Sequence, residues 1–225
     1  MLLSVLAIGL GIHARAQDAG KSQYIGVTAT YAPNSSHILI GDAEKRRIWT
    51  AGIVYDRSLW RDGSIRLDYE AGIDPFFQER DPTLIAICIG GSASAGCSPV
   101  NPQRVITVSK GSNSSVFYDY GAQYSYGGSA TPLGVRVSAG TSRRIQPTFS
   151  INTGFILSGR DLPVDNSASF NYLFSFGPGF QVNLERHMAV RVEYLYRHIS
   201  NAGSGNLNPG IDQGVFRLSV LRGFH

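Results

Sequence analysis

The sequence is poor in charge and in cysteine. Asp, Glu, Lys and Arg make up only 16% of its 225 residues. No stretch reaches the roughly 18 consecutive apolar residues that a transmembrane helix requires, so that way of crossing a bilayer is closed. Two cysteines, Cys88 and Cys97, are too few to complete a zinc site. They lack the C-x-x-C spacing of a redox pair. They bracket the small-residue segment IGGSASAG, and in an oxidising compartment they are expected to close that loop as a disulfide. The formal net charge of +4 is modest and dispersed, and the longest basic run, Lys45-Arg46-Arg47, is too short to track a phosphate backbone. Nucleic acid is not an expected partner.

What the chain does have is Gly, Tyr and alternation. Its start, MLLSVLAIGLGIHARAQ, carries an apolar core from Leu2 to Ile12 followed by Ala14-Arg15-Ala16. A short apolar segment before an A-x-A site is the pattern of a secretory signal peptide. A signal over 1–16 is expected, followed by a single domain over 17–225 outside the cytoplasm.

Alternation of period two dominates the rest. In IRLDYEAGID, Ile65, Leu67, Tyr69, Ala71 and Ile73 alternate with Arg66, Asp68, Glu70, Gly72 and Asp74. In YLFSFGPGFQVNL, Tyr172, Phe174, Phe176, Phe180 and Val182 alternate with small and polar residues. Between Tyr126 and Leu133 the parity switches across GGSATP, the mark of a bulge or kink in one long strand. A soluble sandwich also alternates. Here, however, the polar face holds both signs of charge deep within strands (Arg66, Asp68, Glu70, Arg136, Arg191, Glu193), and the apolar face is rich in Phe and Tyr. That combination suits a barrel with a lipid-facing aromatic wall and a lumen filled by ion pairs.

Strands are expected near 24–32, 47–57, 65–78, 116–139, 147–159, 170–183, 188–200 and 213–222, eight in number, with long and short connections alternating. Long outer loops and tight periplasmic turns are the asymmetry of outer-membrane barrels. The expected fold is all-β: an eight-stranded antiparallel transmembrane barrel in a bacterial outer membrane.

Chemistry gathers at one strand end, in YRHISNAGSGNLNPGID. His198 and Ser200 continue the apolar parity of Val190, Val192, Tyr194 and Tyr196, and Asp212 shares the parity of Phe216, Leu218 and Val220. All three are therefore expected on the outside of the barrel, near its outer rim. A serine hydroxyl becomes a nucleophile when an adjacent imidazole takes its proton and an acid orients that imidazole. The spacing fits Ser200 as nucleophile, His198 as base and Asp212 as acid. The Asn201 side-chain amide, with the N–H groups of Ala202 or Gly203, would supply the oxyanion hole. A site facing the outer leaflet would meet an ester of lipopolysaccharide, and such hydrolysis needs no metal or cofactor. The plainer reading is a non-catalytic structural or surface-binding barrel: polar residues also end any membrane strand, and Asn, Gly and Pro are ordinary turn formers.

The stretch His198-Ile199-Ser200-Asn201-Ala202-Gly203, followed by Asn208-Pro209-Gly210, resembles the signature of the outer-membrane lipid A 3-O-deacylases. The resemblance extends from about Pro132 through Gln146-Pro147 and Phe170-Asn171 to the C-terminus; the N-terminal half matches in strand layout alone. It implies a serine hydrolase that removes the acyl chain at position 3 of lipid A, with His198 as base, Ser200 as nucleophile and Asn201 at the oxyanion. It also implies a glutamate at the acid position, where this chain has Asp212, one methylene shorter. Glu193 is the nearest other acid, but its parity points inward, toward a lumen arginine. Acyl length, a phospholipid in place of lipid A, and pairing of protomers into a homodimer stay open.

Overall fold

The computed structural model describes residues 23–90, 96–99, 115–164, 166–185 and 187–224, with the backbone alone for 83–90, 96–99, 115–121 and 185. The expected signal peptide, 1–16, lies outside the described residues. Nine strands follow in order: β1 (Gln23–Ala32), β2 (Arg47–Asp62), β3 (Ile65–Gly90), β4 (Gly96–Pro99), β5 (Ser115–Ala139), β6 (Ile145–Leu162), β7 (Ala168–Glu185), β8 (Met188–Ser200) and β9 (Ile211–Phe224). Eight of them form one antiparallel sheet in which β1 pairs with β9 and the pairing of β2 with β3 closes the cylinder. Closure leaves the barrel without a free sheet edge.

β4 lies outside the ring and, among the described residues, pairs with the far end of β3 alone. The sequence reading ended the third strand at residue 78 and treated 79–115 as loop. Instead β3 runs on to Gly90, paired with β5 from Ser115. Pairing with β5 continues past the ring because TLIAICI and VFYDYGAQY are rich in strand-forming β-branched and aromatic residues, and β4 adds a third strand at the far end. Cys88 stands opposite Cys97 in the β3–β4 register; the expected disulfide itself falls on side chains outside the described residues. The parity switch in GGSATP is a register shift against β6 between Ala130 and Leu133.

Burial runs inside out relative to a soluble protein. On β6, Gln146, Ser150 and Asn152 are buried while Ile145, Phe149 and Ile151 are exposed. Val27, Ile53, Leu133 and Phe180 are likewise exposed on other strands. An apolar belt all round a closed cylinder has no stable exposure to water and is satisfied by hydrocarbon.

The lumen is layered and largely filled, with a small cavity among Thr28, Thr30, Asp74, Asn152 and Arg197. At the short-turn end Tyr24, Val54, Ala189 and Leu221 form an apolar plug. Next comes a charged layer with four guanidinium groups (Arg66, Arg136, Arg191, Arg217) and four carboxylates (Asp56, Asp68, Glu70, Glu193). Arg136 reaches Asp56 at 2.9 Å, Asp68 at 2.8 Å and Glu70 at 3.0 Å. Arg191 bridges Asp56 and Glu70, each at 2.9 Å. Glu193 binds Arg191 at 3.1 Å and also Arg217. Equal numbers of each sign, each held by several partners, make it tolerable to bury these charges away from water. Toward the long-loop end a second apolar group, including Ile48, Phe77, Leu195, Ile199 and Ile211, closes the cylinder beneath the rim. Nothing here resembles a pore.

Candidate active site on the outer rim

The regular pleat of β8 persists to its last residue. Arg191, Glu193, Leu195, Arg197 and Ile199 are buried in the lumen, so Val192, Tyr194, Tyr196, His198 and Ser200 stand on the outside. In the β8–β9 ladder His198 lies directly opposite Asp212, and the inward pair Ile199 and Ile211 follows. The expected outward parity of all three residues therefore holds. His198 Nδ1 is 2.7 Å from Asp212 Oδ1. The shorter acid reaches the imidazole because the two residues are direct cross-strand neighbours, where Cβ atoms stand about 5 Å apart.

Asp212 does not face open lipid. It is fully buried, because the loop between β1 and β2 folds down over it as a strap. Five donors surround its carboxylate, the Gly41 N–H among them. Oδ1 accepts from His198 and from the Tyr196 hydroxyl at 2.8 Å; Oδ2 accepts from the Leu39 N–H at 2.7 Å and the Ile40 N–H at 2.9 Å. A carboxylate has about four lone-pair positions, and all are used.

The strap is pinned at several points. Asp42 N–H donates to Pro209 O at 2.7 Å and Ala43 N–H to Gly210 O at 3.0 Å. Ser35 Oγ donates to Ala43 O at 2.7 Å and accepts from Arg46 N–H at 2.9 Å. Two glycines permit the fit. A Cβ on Gly41 would lie 2.8 Å from Asp212 Oδ1, and one on Gly210 would lie 2.9 Å from His198 Cε1. Gly210 also has φ of +66°, which L side chains avoid.

Ser200 has a different environment. Its hydroxyl donates to Asn208 Oδ1 at 3.0 Å and accepts from the Ala202 N–H at 3.1 Å. Among the described residues no hydrogen bond joins it to His198, its outward neighbour two positions back. Asn201 is buried and braces the loop: its Nδ2 donates to Leu207 O at 2.7 Å and its Oδ1 accepts from Gly203 N–H at 2.8 Å. Ser204 N–H returns to Asn201 O at 3.0 Å across Ala202 and Gly203, with φ of 52° and 81°. Two successive positive φ values make this a type I′ turn. In a residue with a Cβ, such as Ala202, that conformation carries strain of a kind that gathers at functional sites.

The structure thus brings His198 to Asp212 and sets Ser200, Asn201, Ala202 and Gly203 beside them on the same rim. The sequence reading missed several contributors. Tyr196 carried a usable signal, since it shares the parity of His198. Asn208 was noted only as part of the turn. The Leu39 and Ile40 donors are backbone groups and left no trace in residue type.

A family model described as lipid A 3-O-deacylase (PagL) matches residues 89–220, more than half of the chain. The match begins well before Pro132, where the resemblance by residues set in. Among curated proteins no relative matches the sequence. Among solved structures, the outer membrane enzyme PagL is 14% identical with a TM-score of 0.50, over 87% of this chain and 97% of that one. Neisserial surface protein A is 13% identical with a TM-score of 0.46, over 90% and 97%. OprG of Pseudomonas aeruginosa is 14% identical with a TM-score of 0.41, over 91% and 96%. The closed eight-stranded barrel shares its fold with the outer membrane enzyme PagL. The chain belongs to the lipid A 3-O-deacylase family.

Proposed function

We propose that the chain is a serine esterase that hydrolyses the ester-linked acyl chain at position 3 of lipid A in the outer leaflet. The observation that carries this reading is the 2.7 Å pairing of His198 Nδ1 with the buried carboxylate of Asp212, on the lipid side of the barrel. A carboxylate only accepts, so the Nδ1 proton is fixed by its partner and the Nε2 lone pair is left free to act as a base.

The resting hydroxyl of Ser200 points to Asn208. Rotation about its Cα–Cβ bond exchanges that acceptor for the imidazole two residues away on the same face. Nε2 then takes the hydroxyl proton as Oγ attacks the ester carbonyl. The tetrahedral oxyanion is met by the Ala202 N–H; the Asn201 side-chain amide and the Asn201 and Gly203 N–H groups donate within the loop, to Leu207 O, Asn208 Oδ1 and Asn201 Oδ1. The Ala202 N–H is the best placed, at 3.1 Å from Oγ. Asn201 contributes by bracing the strained turn that presents it. The imidazolium protonates the departing 3-hydroxyl oxygen and leaves an acyl-serine. A water, deprotonated by the same imidazole, attacks this ester and releases the fatty acid. Asp212 holds the tautomer and stabilises the imidazolium throughout.

Favouring the second reading, a non-catalytic barrel with a degenerate site, is the hydrogen bond of Ser200 to Asn208 rather than to His198. Mass spectrometry of lipid A decides between them. Wild-type chain expressed in an outer membrane is expected to remove one hydroxyacyl unit, and Ser200→Ala to leave lipid A intact. Identical spectra for the two would establish the non-catalytic barrel.

A further inference from the structure

The strap that buries Asp212 is unusual for an outer loop in its sequence. Three consecutive residues at its crest, Ile38, Leu39 and Ile40, are 45%, 59% and 66% exposed. None of them packs into the lumen, and no charge interrupts them. Their backbone has a separate duty, since the N–H groups of Leu39 and Ile40 hold Asp212 Oδ2. Asp212 projects from the outward face of β9, so the strap lies on that face. Below it the same face continues as Phe216 and Leu218, 53% and 51% exposed and part of the lipid-facing belt.

We infer that Ile38-Leu39-Ile40 is a hydrocarbon-binding element, which receives acyl chains of an outer-leaflet lipid next to the reacting ester and couples that contact to the placement of Asp212. This rests on the reading of Ser200, His198 and Asp212 as an esterase triad. The occupant is lipid hydrocarbon because the segment continues the apolar wall already in contact with it and offers no polar side chain to a protein or sugar partner. An acyl chain lying along the crest presses the strap onto the carboxylate, and the two N–H groups transmit that contact to the acid behind the base. Leu39 and Ile40 are thus substrate-contact residues through their side chains and positioning residues through their backbone.

The two duties separate by substitution. The variant Ile38→Ser leaves Leu39 and Ile40, and their N–H groups on Asp212, untouched and removes part of the hydrocarbon surface. Purified wild type and variant would be assayed on lipid A in phospholipid vesicles and on 4-nitrophenyl acetate, a soluble ester with no chain to bind. The KM for lipid A is expected to rise about threefold, a modest share of what one buried aliphatic side chain can supply, while turnover of the soluble ester is unchanged. Equal losses on both substrates would mean that the strap acts on the acid alone, and no loss on either that its side chains touch nothing; both overturn the inference. A wild type inert toward both esters would instead overturn the triad, and the strap is then read without catalysis. In a Ser200→Ala, Leu39→Trp chain, vesicles with brominated acyl chains are expected to quench fluorescence beyond the quench of Trp49 and Trp60 in the Ser200→Ala parent. No added quench would refute hydrocarbon contact.

Discussion

Two sets of buried carboxylates lie on opposite sides of the same barrel wall, and their partners differ in kind. In the lumen, Asp56, Asp68, Glu70 and Glu193 are held by four arginines, cations that do not exchange protons under ordinary conditions. On the outer rim Asp212 is held by the backbone N–H groups of Leu39, Ile40 and Gly41, a phenol and an imidazole, with no arginine among them. The first arrangement neutralises charge permanently and fixes the cylinder's shape. The second places a charge that is balanced only when the imidazole becomes protonated, which is the state reached midway through ester hydrolysis. The same residue type thus serves structure on one face and chemistry on the other.

That contrast is broken most severely at the acid. Asp212→Asn keeps the size of the side chain but offers the imidazole an amide, so Nδ1 no longer has a carboxylate to select its tautomer. A fall in kcat of about 10,000-fold, the scale seen when a triad aspartate becomes asparagine, is expected, with heat-modifiable gel mobility of the folded barrel unchanged. A loss of less than tenfold would place the acid's duty elsewhere.

The lumen is expected to respond in the opposite way. Arg136→Ala leaves Asp56, Asp68 and Glu70 short of a shared cation, a loss of about 3–5 kcal/mol for a broken buried ion pair. The unfolding midpoint should fall markedly in urea, while the folded fraction keeps its kcat. If kcat falls and stability does not, the division between the two faces is wrong.

Tyr196→Phe sharpens the comparison with the least effect. It removes one neutral donor of five from Asp212, worth about 1 kcal/mol. A decrease in kcat of about fivefold is expected with KM unchanged, the split that separates positioning of the acid from binding of the lipid.

Much of this division was legible as parity. Arg66, Asp68 and Glu70 alternate with Ile65, Leu67 and Tyr69, and a period of two leaves no choice about which set shares the lumen. The same counting placed His198, Ser200 and Asp212 outside and Glu193 inside, where it meets Arg191 and Arg217. What parity does not carry is anything held by loops. The strap over Asp212 acts through N–H groups that almost every residue possesses, so no choice of side chain announces it. The hold of Asn208 on Ser200 depends on a type I′ turn at Ala202-Gly203, and Ala202 is a poor signal for positive φ. The strand β5 was legible at 116–139, but its partner β3 was not followed past residue 78, because LIAICI is apolar throughout and carries no alternation.

The central claim is that Ser200 is the group activated by the His198–Asp212 pair. Treating the folded protein with a long-chain alkyl fluorophosphonate, which phosphonylates activated serines with loss of fluoride, and mapping the adduct by mass spectrometry tests this directly. One adduct per chain, on Ser200 and abolished by His198→Ala, is the expected result. An unmodified Ser200, or labelling that persists without the imidazole, would contradict it.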